Sequence, residues 1–290
     1  MEKRRLGRTE HMSSIVSFGG ASFMKIDQDE ADRTLKLVFE HGINHLDVAP
    51  HYEDAEIRIG PWMKKYRKQC FLACKTLERT KKAAGEDLHR SLERLQTDHF
   101  DLYQLHFMDK MSDLETALGP GGAMEAIVEA RSQGLLNYIG ITGHNLPLQL
   151  EALNRFDFDT VMFPFNFILY RDSQYRSNFE KLMEKVRERD VAALAIKAIA
   201  QGNWEKEYQV LDRYERPYST WYKPFEEVGE IALALSFALS MGFSTMISAS
   251  DVKLLDLTLD AVDKVHVLNQ EENDALLREA EKYSLLEFTF

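Results

Sequence analysis

Asp47, Tyr52, Lys75 and His106 are the residues in this 290-residue chain whose types and positions could do chemistry together. Ile43, His45, Leu46 and Val48 make a short, mostly apolar run of the kind that forms a buried parallel strand. That strand ends at Asp47; Pro50 then breaks it, and a loop delivers Tyr52. Lys75 and His106 close two further apolar runs, Phe71 to Thr76 and Phe100 to His106. Singly, each has an ordinary structural explanation: a core histidine, an ion pair, a packed tyrosine. Together at the ends of three neighbouring strands they form a reactive set. A free phenol, with a pKa of about 10, is a poor acid at neutral pH. A Lys75 ammonium beside Tyr52 favours the phenolate and lowers that pKa, and Asp47 can hold the ammonium in place. His106 can donate a hydrogen bond to a substrate oxygen or relay a proton. A tuned proton donor aimed at one oxygen suits carbonyl reduction. No side chain supplies hydride, so a nicotinamide cofactor is implied.

The elements that must position these residues alternate along the whole chain. Arg4 to Phe18 reads as two short strands with a turn at Gly7 to Glu10, the second being Ile15 to Phe18. Strands are predicted at the Asp47 run, Phe71–Thr76, Phe100–His106, Tyr138–Thr142, Val161–Phe163, Val191–Ile199 and Thr245–Ile247. Helical periodicity lies between them, with Ala55 to Tyr66 interrupted at Gly60-Pro61, and a last helix covers Glu271 to Lys282. Eight strand-then-helix units with no shift of composition predict one domain over residues 1–290: a (β/α)8 TIM barrel with an N-terminal β-hairpin over its amino-terminal end. Gly19-Gly20 does not fit G-x-G-x-x-G, which disfavours an open dinucleotide-binding sheet.

Composition narrows the function classes. Apolar residues are 44% and charged residues 29%, as in a soluble globular protein with a sizeable core. A net charge of −11 argues against a nucleic-acid partner. Cys70 and Cys74, on one extended strand, would stand about 13 Å apart, too far for a disulfide. Two cysteines provide no four-cysteine metal site, and no metal is expected. No apolar run reaches transmembrane length and the first residues lack a signal-peptide core, so a reduced cytoplasm is expected.

The chain resembles the aldo-keto reductases over nearly its whole length. The resemblance rests on Gly42-Ile43-Asn44 with Leu46-Asp47, Tyr52 with Glu56 and Gly60, and Ala73-Cys74-Lys75. It continues through Asp101-Leu102 to Leu105-His106, Tyr138 to Thr142, and Phe165-Asn166. It implies the barrel fold, reduction of aldehydes and ketones to alcohols, and NADPH as hydride donor, with NADH as the alternative. It makes Tyr52 the general acid, Lys75 and Asp47 its tuning pair, and His106 the substrate-orienting residue. For the cofactor it points to Gly20, Asp47, Thr142, Gly143, His144, Asn166, Lys197 and Gly202. The turn Ser248-Ala249-Ser250 into a helix bearing Lys253 is the expected phosphate site, although Asp251 would repel a 2′-phosphate. Phe23, Met24, Phe107 and Tyr170 are the expected substrate-binding walls, for a small-molecule carbonyl substrate.

Asn203 to Lys223 carries Trp204, Tyr208, Tyr214, Tyr218, Trp221 and Tyr222, which reads either as a lid or as a loop packed on the barrel rim. The short tail after Tyr283 predicts an open pocket. Two other functions compete: a Schiff-base aldolase with Lys75 as nucleophile, which leaves Tyr52 unexplained, and a non-catalytic nicotinamide-binding regulatory subunit. Oligomeric state and the identity of the carbonyl are not legible at this level.

Overall fold

The computed structural model describes residues 1–286; of the tail after Tyr283, residues 287–290 lie outside the described part. Eight parallel strands close into a barrel: β1 (Val16–Gly19), β2 (His45–Asp47), β3 (Phe71–Thr76), β4 (Phe100–Leu105), β5 (Leu136–Thr142), β6 (Thr160–Pro164), β7 (Ala192–Ile196) and β8 (Thr245–Ile247), with β8 paired to β1. The principal outer helices are α1 (Gln28–Glu40), α2 (Ala55–Tyr66), α3 (Lys81–Arg94), α4 (Ala123–Ser132), α5 (Leu146–Arg155), α6 (Ser173–Glu188), α7 (Val228–Ser240) and α8 (Val252–Ala261). This is the expected (β/α)8 TIM barrel.

The pleat decides which side chains enter the barrel. Leu6, Phe71, Ala73, Leu102, Met162, Ala192 and Leu194 form one buried interior cluster. Lys75 lies on the same pleat face as Phe71 and Ala73, and Gln104 on that of Leu102. Both therefore point inward, whereas Leu72 and Cys74 pack outward in the core shared with the helices.

The N-terminal stretch holds three strands rather than two. Lys3–Arg5 pairs antiparallel with Met12–Ser14, and β1 follows as a separate strand. The hairpin turn puts fully buried Leu6 into the bottom of the barrel. Arg8 N–H donates to Asp190 O (2.8 Å) just before β7, and Tyr138 of β5 donates to Thr9 O (2.9 Å). The hairpin therefore plugs the amino-terminal end, as expected.

Helix α2 runs unbroken through Gly60-Pro61. Pro61 forfeits one helical bond, but Gly60 lets α2 lie against the end of α3, where any side chain would strike Arg94 O. The run from Val191 to Ile199 is shorter than its apolar content predicts. It ends at Ile196, and Ala200–Gly202 forms a separate ribbon with Lys223–Pro224. Helices Met111–Leu118 and Phe167–Arg171 are additions that the periodicity did not reveal. Cys70 and Cys74 are both free and buried. No described helix is long and apolar enough to cross a membrane.

Candidate active site at the carboxyl-terminal mouth

Strands β2, β3 and β4 are neighbours, and their carboxyl ends bring Asp47, Lys75 and His106 together with Tyr52 from the loop after β2. Lys75 Nζ donates to Asp47 Oδ1; the two side chains are only 1% and 3% exposed. Gln104 stands beside Lys75 in the β3–β4 register, and its Nε2 donates to Asp47 Oδ2 at 2.9 Å. Both Asp47 oxygens are thus bound, as a buried carboxylate requires. Gln104 was missed from the sequence because its partner is set by strand register.

Lys75 Nζ lies 5.4 Å from the centroid of the half-buried Tyr52 ring. Burial works to depress the Lys75 ammonium, but Asp47 and Tyr52 outweigh it and hold its pKa above the usual lysine value. For Tyr52 burial dominates and raises the phenol pKa, while Lys75 pulls it down. The net direction is upward, opposite to the lowering expected from a neighbouring cation alone. The His106 ring is 6.1 Å from that of Tyr52 and edge-on to it. Burial, then Lys75 and His51, push the His106 imidazole well below its ordinary pKa, so it is neutral at pH 7. His106 Nδ1 is buried without a partner among the described residues. His51 is a further member: its ring lies 4.7 Å from Tyr52 and 4.6 Å from His106. Its only sequence signal was adjacency to Tyr52.

A second group lines the mouth from β4 to β7. Phe107 and Lys197, just past the ends of β4 and β7, both have left-handed backbone, at φ 55° and 59°. Each is held by an expected cofactor residue. The Phe107 amide donates to Thr142 Oγ1 (3.1 Å), and Asn166 Nδ2 donates to Lys197 O (3.1 Å). Asn166 Oδ1 also accepts the Ile168 and Leu169 amides, so its side chain is committed to the chain around it. Gly143 is backed so closely that a Cβ would lie 2.6 Å from Met108 O. His144 Nδ1 is bonded to Asp109 Oδ2 at 2.9 Å, which fixes the ring; burial nevertheless lowers its pKa. Asp109, which also accepts the His144 and Asn145 amides, was not singled out from sequence. Burial lowers the Lys197 ammonium to about 8, with Asp109 opposing.

The β8 turn faces the long insert. Ser248 Oγ accepts the Gly19 amide at 2.9 Å, next to Gly20. Ser250 Oγ donates to Ser219 O (3.2 Å), and Ser219 Oγ donates to Ser250 O (2.7 Å). Asp251 caps α8 through the Lys253 amide with one oxygen and accepts the Ser219 amide with the other. The exposed Lys253 side chain stands in the first turn of α8. The insert is therefore strapped to β8. It is also internally packed: Trp204 is buried, and its Nε1 donates to Thr220 O at 3.0 Å. Gly202 lies at the base of the insert, under the tail at Ser284.

The four expected substrate walls separate. Met24 and Phe107 are half-buried at the mouth side, Phe107 with its ring 5.1 Å from that of His144. Phe23 is fully buried against Phe18 and presents no free face. Tyr170 packs among Phe165, Phe179 and Phe237, between barrel and helices, away from the other three. Among the described residues no group of three or more His, Cys, Asp or Glu side chains could hold a metal ion.

The arrangement has clear relatives. The Aldo/keto reductase family model matches residues 16–279. The uncharacterized oxidoreductase YqkF of Bacillus subtilis is 26% identical over 70% of this chain, which spans 66% of that relative's length. L-galactose dehydrogenase of Arabidopsis thaliana is 24% identical over 94% of this chain and 91% of its own. The holo form of aldo-keto reductase AKR11C1 from Bacillus halodurans superposes with a TM-score of 0.75 at 25% identity, covering 99% of this chain and 98% of that one. The barrel, the polar set at its mouth and the match over residues 16–279 agree: this chain belongs to the aldo/keto reductase family and is an NAD(P)H-dependent oxidoreductase.

Proposed function

We propose that this protein reduces aldehydes or ketones to alcohols with NADPH as hydride donor and Tyr52 as general acid. The observation that carries the reading is the buried Lys75–Asp47 pair set against Tyr52. The bound nicotinamide supplies the hydride. Tyr52 passes its proton to the carbonyl oxygen as negative charge develops there, and the Lys75 ammonium stabilises the phenolate left behind. Asp47, pinned by Gln104, keeps Lys75 charged and in place. Neutral His106 donates a hydrogen bond that orients the carbonyl.

The residues fit a nicotinamide dinucleotide. His144 and Gly143 would hold the carboxamide end. Thr142 and Asn166 act through the Phe107 and Lys197 turns that they fix. Gly20 and Gly202 flank the path toward Ser248, Ser250 and Lys253, where a helix amino terminus and a cation suit a phosphate. Asp251 keeps its carboxylate at this terminus, one oxygen on the Ser219 amide and the other on the Lys253 amide, so the Lys253 side chain is what a 2′-phosphate of NADPH would pair with. A protonated Lys75 locked to Asp47 is no Schiff-base nucleophile, since imine formation needs the free amine.

Fluorescence titration of the pure protein with NADPH and, separately, NADH tests this. Saturable micromolar binding is expected, tighter for NADPH, with the difference narrowed in Lys253→Ala. Binding of neither would sink the reductase reading.

A further inference from the structure

Arg79 reaches the mouth from the loop after β3. Its main chain is pinned: the Glu78 amide donates to Thr76 Oγ1 (3.0 Å), and Arg79 O accepts the Ala123 amide (2.9 Å). From there the side chain, 15% exposed, runs to the end of β4. Its Nη2 donates to two consecutive carbonyls, His106 O at 2.8 Å and Phe107 O at 3.1 Å.

Those carbonyls belong to a turn of demanding shape. The left-handed backbone of Phe107 costs energy in a non-glycine residue and persists only where its surroundings fix it. Thr142 Oγ1 holds its amide, and Arg79 holds its carbonyl. Toward the cofactor side the chain has anchors of its own. The Met108 amide donates to Thr142 O (2.7 Å), Met108 O accepts from Gln149 Nε2 (2.8 Å), and Asp109 accepts the Asn145 amide (3.0 Å). Arg79 thus bears on His106 and Phe107 and not on the His144 side.

The His106 imidazole depends on that main chain. Its Nδ1 has no hydrogen-bond partner among the described residues, and its contacts with the His51 and Tyr52 rings are not directional bonds. What aims it is its backbone, with the amide on Thr76 O (2.9 Å) and the carbonyl on Arg79. A purely structural clamp would not need a buried cation. Arg79 Nε lies 3.6 Å from Asp113 Oδ2, and Nη1 is shielded from solvent with no acceptor among the described residues. Burial lowers the guanidinium pKa, with Asp113 opposing. A neutral amide could bond the same carbonyls without that desolvation. Burial, then Lys75, His51 and His144, and finally this cation keep the His106 imidazole neutral.

We propose that Arg79 is a positioning residue for carbonyl reduction: by holding both carbonyls of the turn after β4, it sets the angle at which the His106 imidazole meets the substrate oxygen. The proposal deepens the reductase reading and rests on it.

A double-mutant cycle tests this, with kcat and KM for an aldehyde panel and the NADPH dissociation constant measured in the wild type, Arg79→Met, His106→Ala and the double variant. Arg79→Met is expected to lose about 10–100-fold in kcat/KM, the scale of a small misplacement of a reacting geometry. NADPH affinity stays at the parent value, and the double variant is no worse than His106→Ala, because Arg79 acts through that ring. Parent-like kcat/KM in Arg79→Met overturns the proposal. Losses that multiply in the double variant also overturn it, since they would make Arg79 a structural residue independent of His106. So does NADPH binding that weakens in step with kcat/KM, which would assign Arg79 to the cofactor side. If Arg79→Met fails to fold, Arg79→Gln, which keeps an N–H donor for one carbonyl, carries the same cycle. A readout without turnover separates this inference from the reductase reading. The His106 ring C–H resonance, identified by its absence from His106→Ala, should shift in Arg79→Met. A shift in a protein that reduces no carbonyl would overturn the reductase reading and leave the Arg79–His106 coupling standing; an unmoved resonance overturns the coupling itself.

Discussion

Asp47 carries its charge inside a barrel, and it does so with both oxygens bound, one by Lys75 and one by Gln104. Removing the second bond without removing the charge isolates what Gln104 contributes. Gln104→Leu leaves Asp47 Oδ2 buried and unpaired, which costs about 1.5–3 kcal/mol on the usual scale for hydrogen bonds to charged groups. Urea unfolding measures that loss, and turnover falls alongside as Lys75 gains freedom; a variant as stable and active as the parent would show that Gln104 does neither. Asp47, Lys75 and His106 were legible because each stands at the end of an apolar run, and Tyr52 because it follows the Pro50 break after the first of them. Gln104 and Asp109 were not, because their partners are fixed by cross-strand register and by a turn that brings residues 109 and 144 together. The direction of the Tyr52 shift was misjudged for a related reason: the sequence shows the cation but not that desolvation of the phenol outweighs it.

At the scale of elements, the two ends of the barrel do separate work. The hairpin holds Leu6 in the bottom, opposite the mouth. Leu6→Ala should therefore cost about 2–5 kcal/mol of stability, the range for emptying a large core site, while kcat and KM below the transition stay at the parent values. Thermal unfolding and steady-state kinetics on the same sample check this; loss of activity in a still-folded variant would mean that the two ends are coupled. Alternation made the eight units legible, yet it merged hairpin and first barrel strand, since Met12–Ser14 and Val16–Gly19 are separated by one residue. Gly60-Pro61 reads locally as a break. Only the closeness of Arg94 O shows why a glycine belongs in a continuous helix there. The insert's aromatic content was visible, but not that Ser219 would tie it to Ser250 and Asp251.

Across the whole molecule, five histidines share one direction of shift. Burial lowers His11, His45, His51, His106 and His144 below the ordinary imidazole value of about 6.5. The unfolded chain then binds more protons than the folded one below that pH, so stability is full above it and is lost as pH falls. Melting temperature should be level from pH 7 to 8 and drop steadily toward pH 5; a profile flat down to pH 5 would mean that these rings protonate without cost in the fold. The claim at the centre is that Tyr52 gives the proton in carbonyl reduction, and loss of reduced-nicotinamide absorbance with a panel of aldehydes, in the wild type and Tyr52→Phe, tests it most directly. The expected result is turnover in the wild type and a fall of about 10²–10⁴-fold in a variant that still folds and binds cofactor. Equal turnover by the two proteins would contradict it and move the proton donor elsewhere in the mouth.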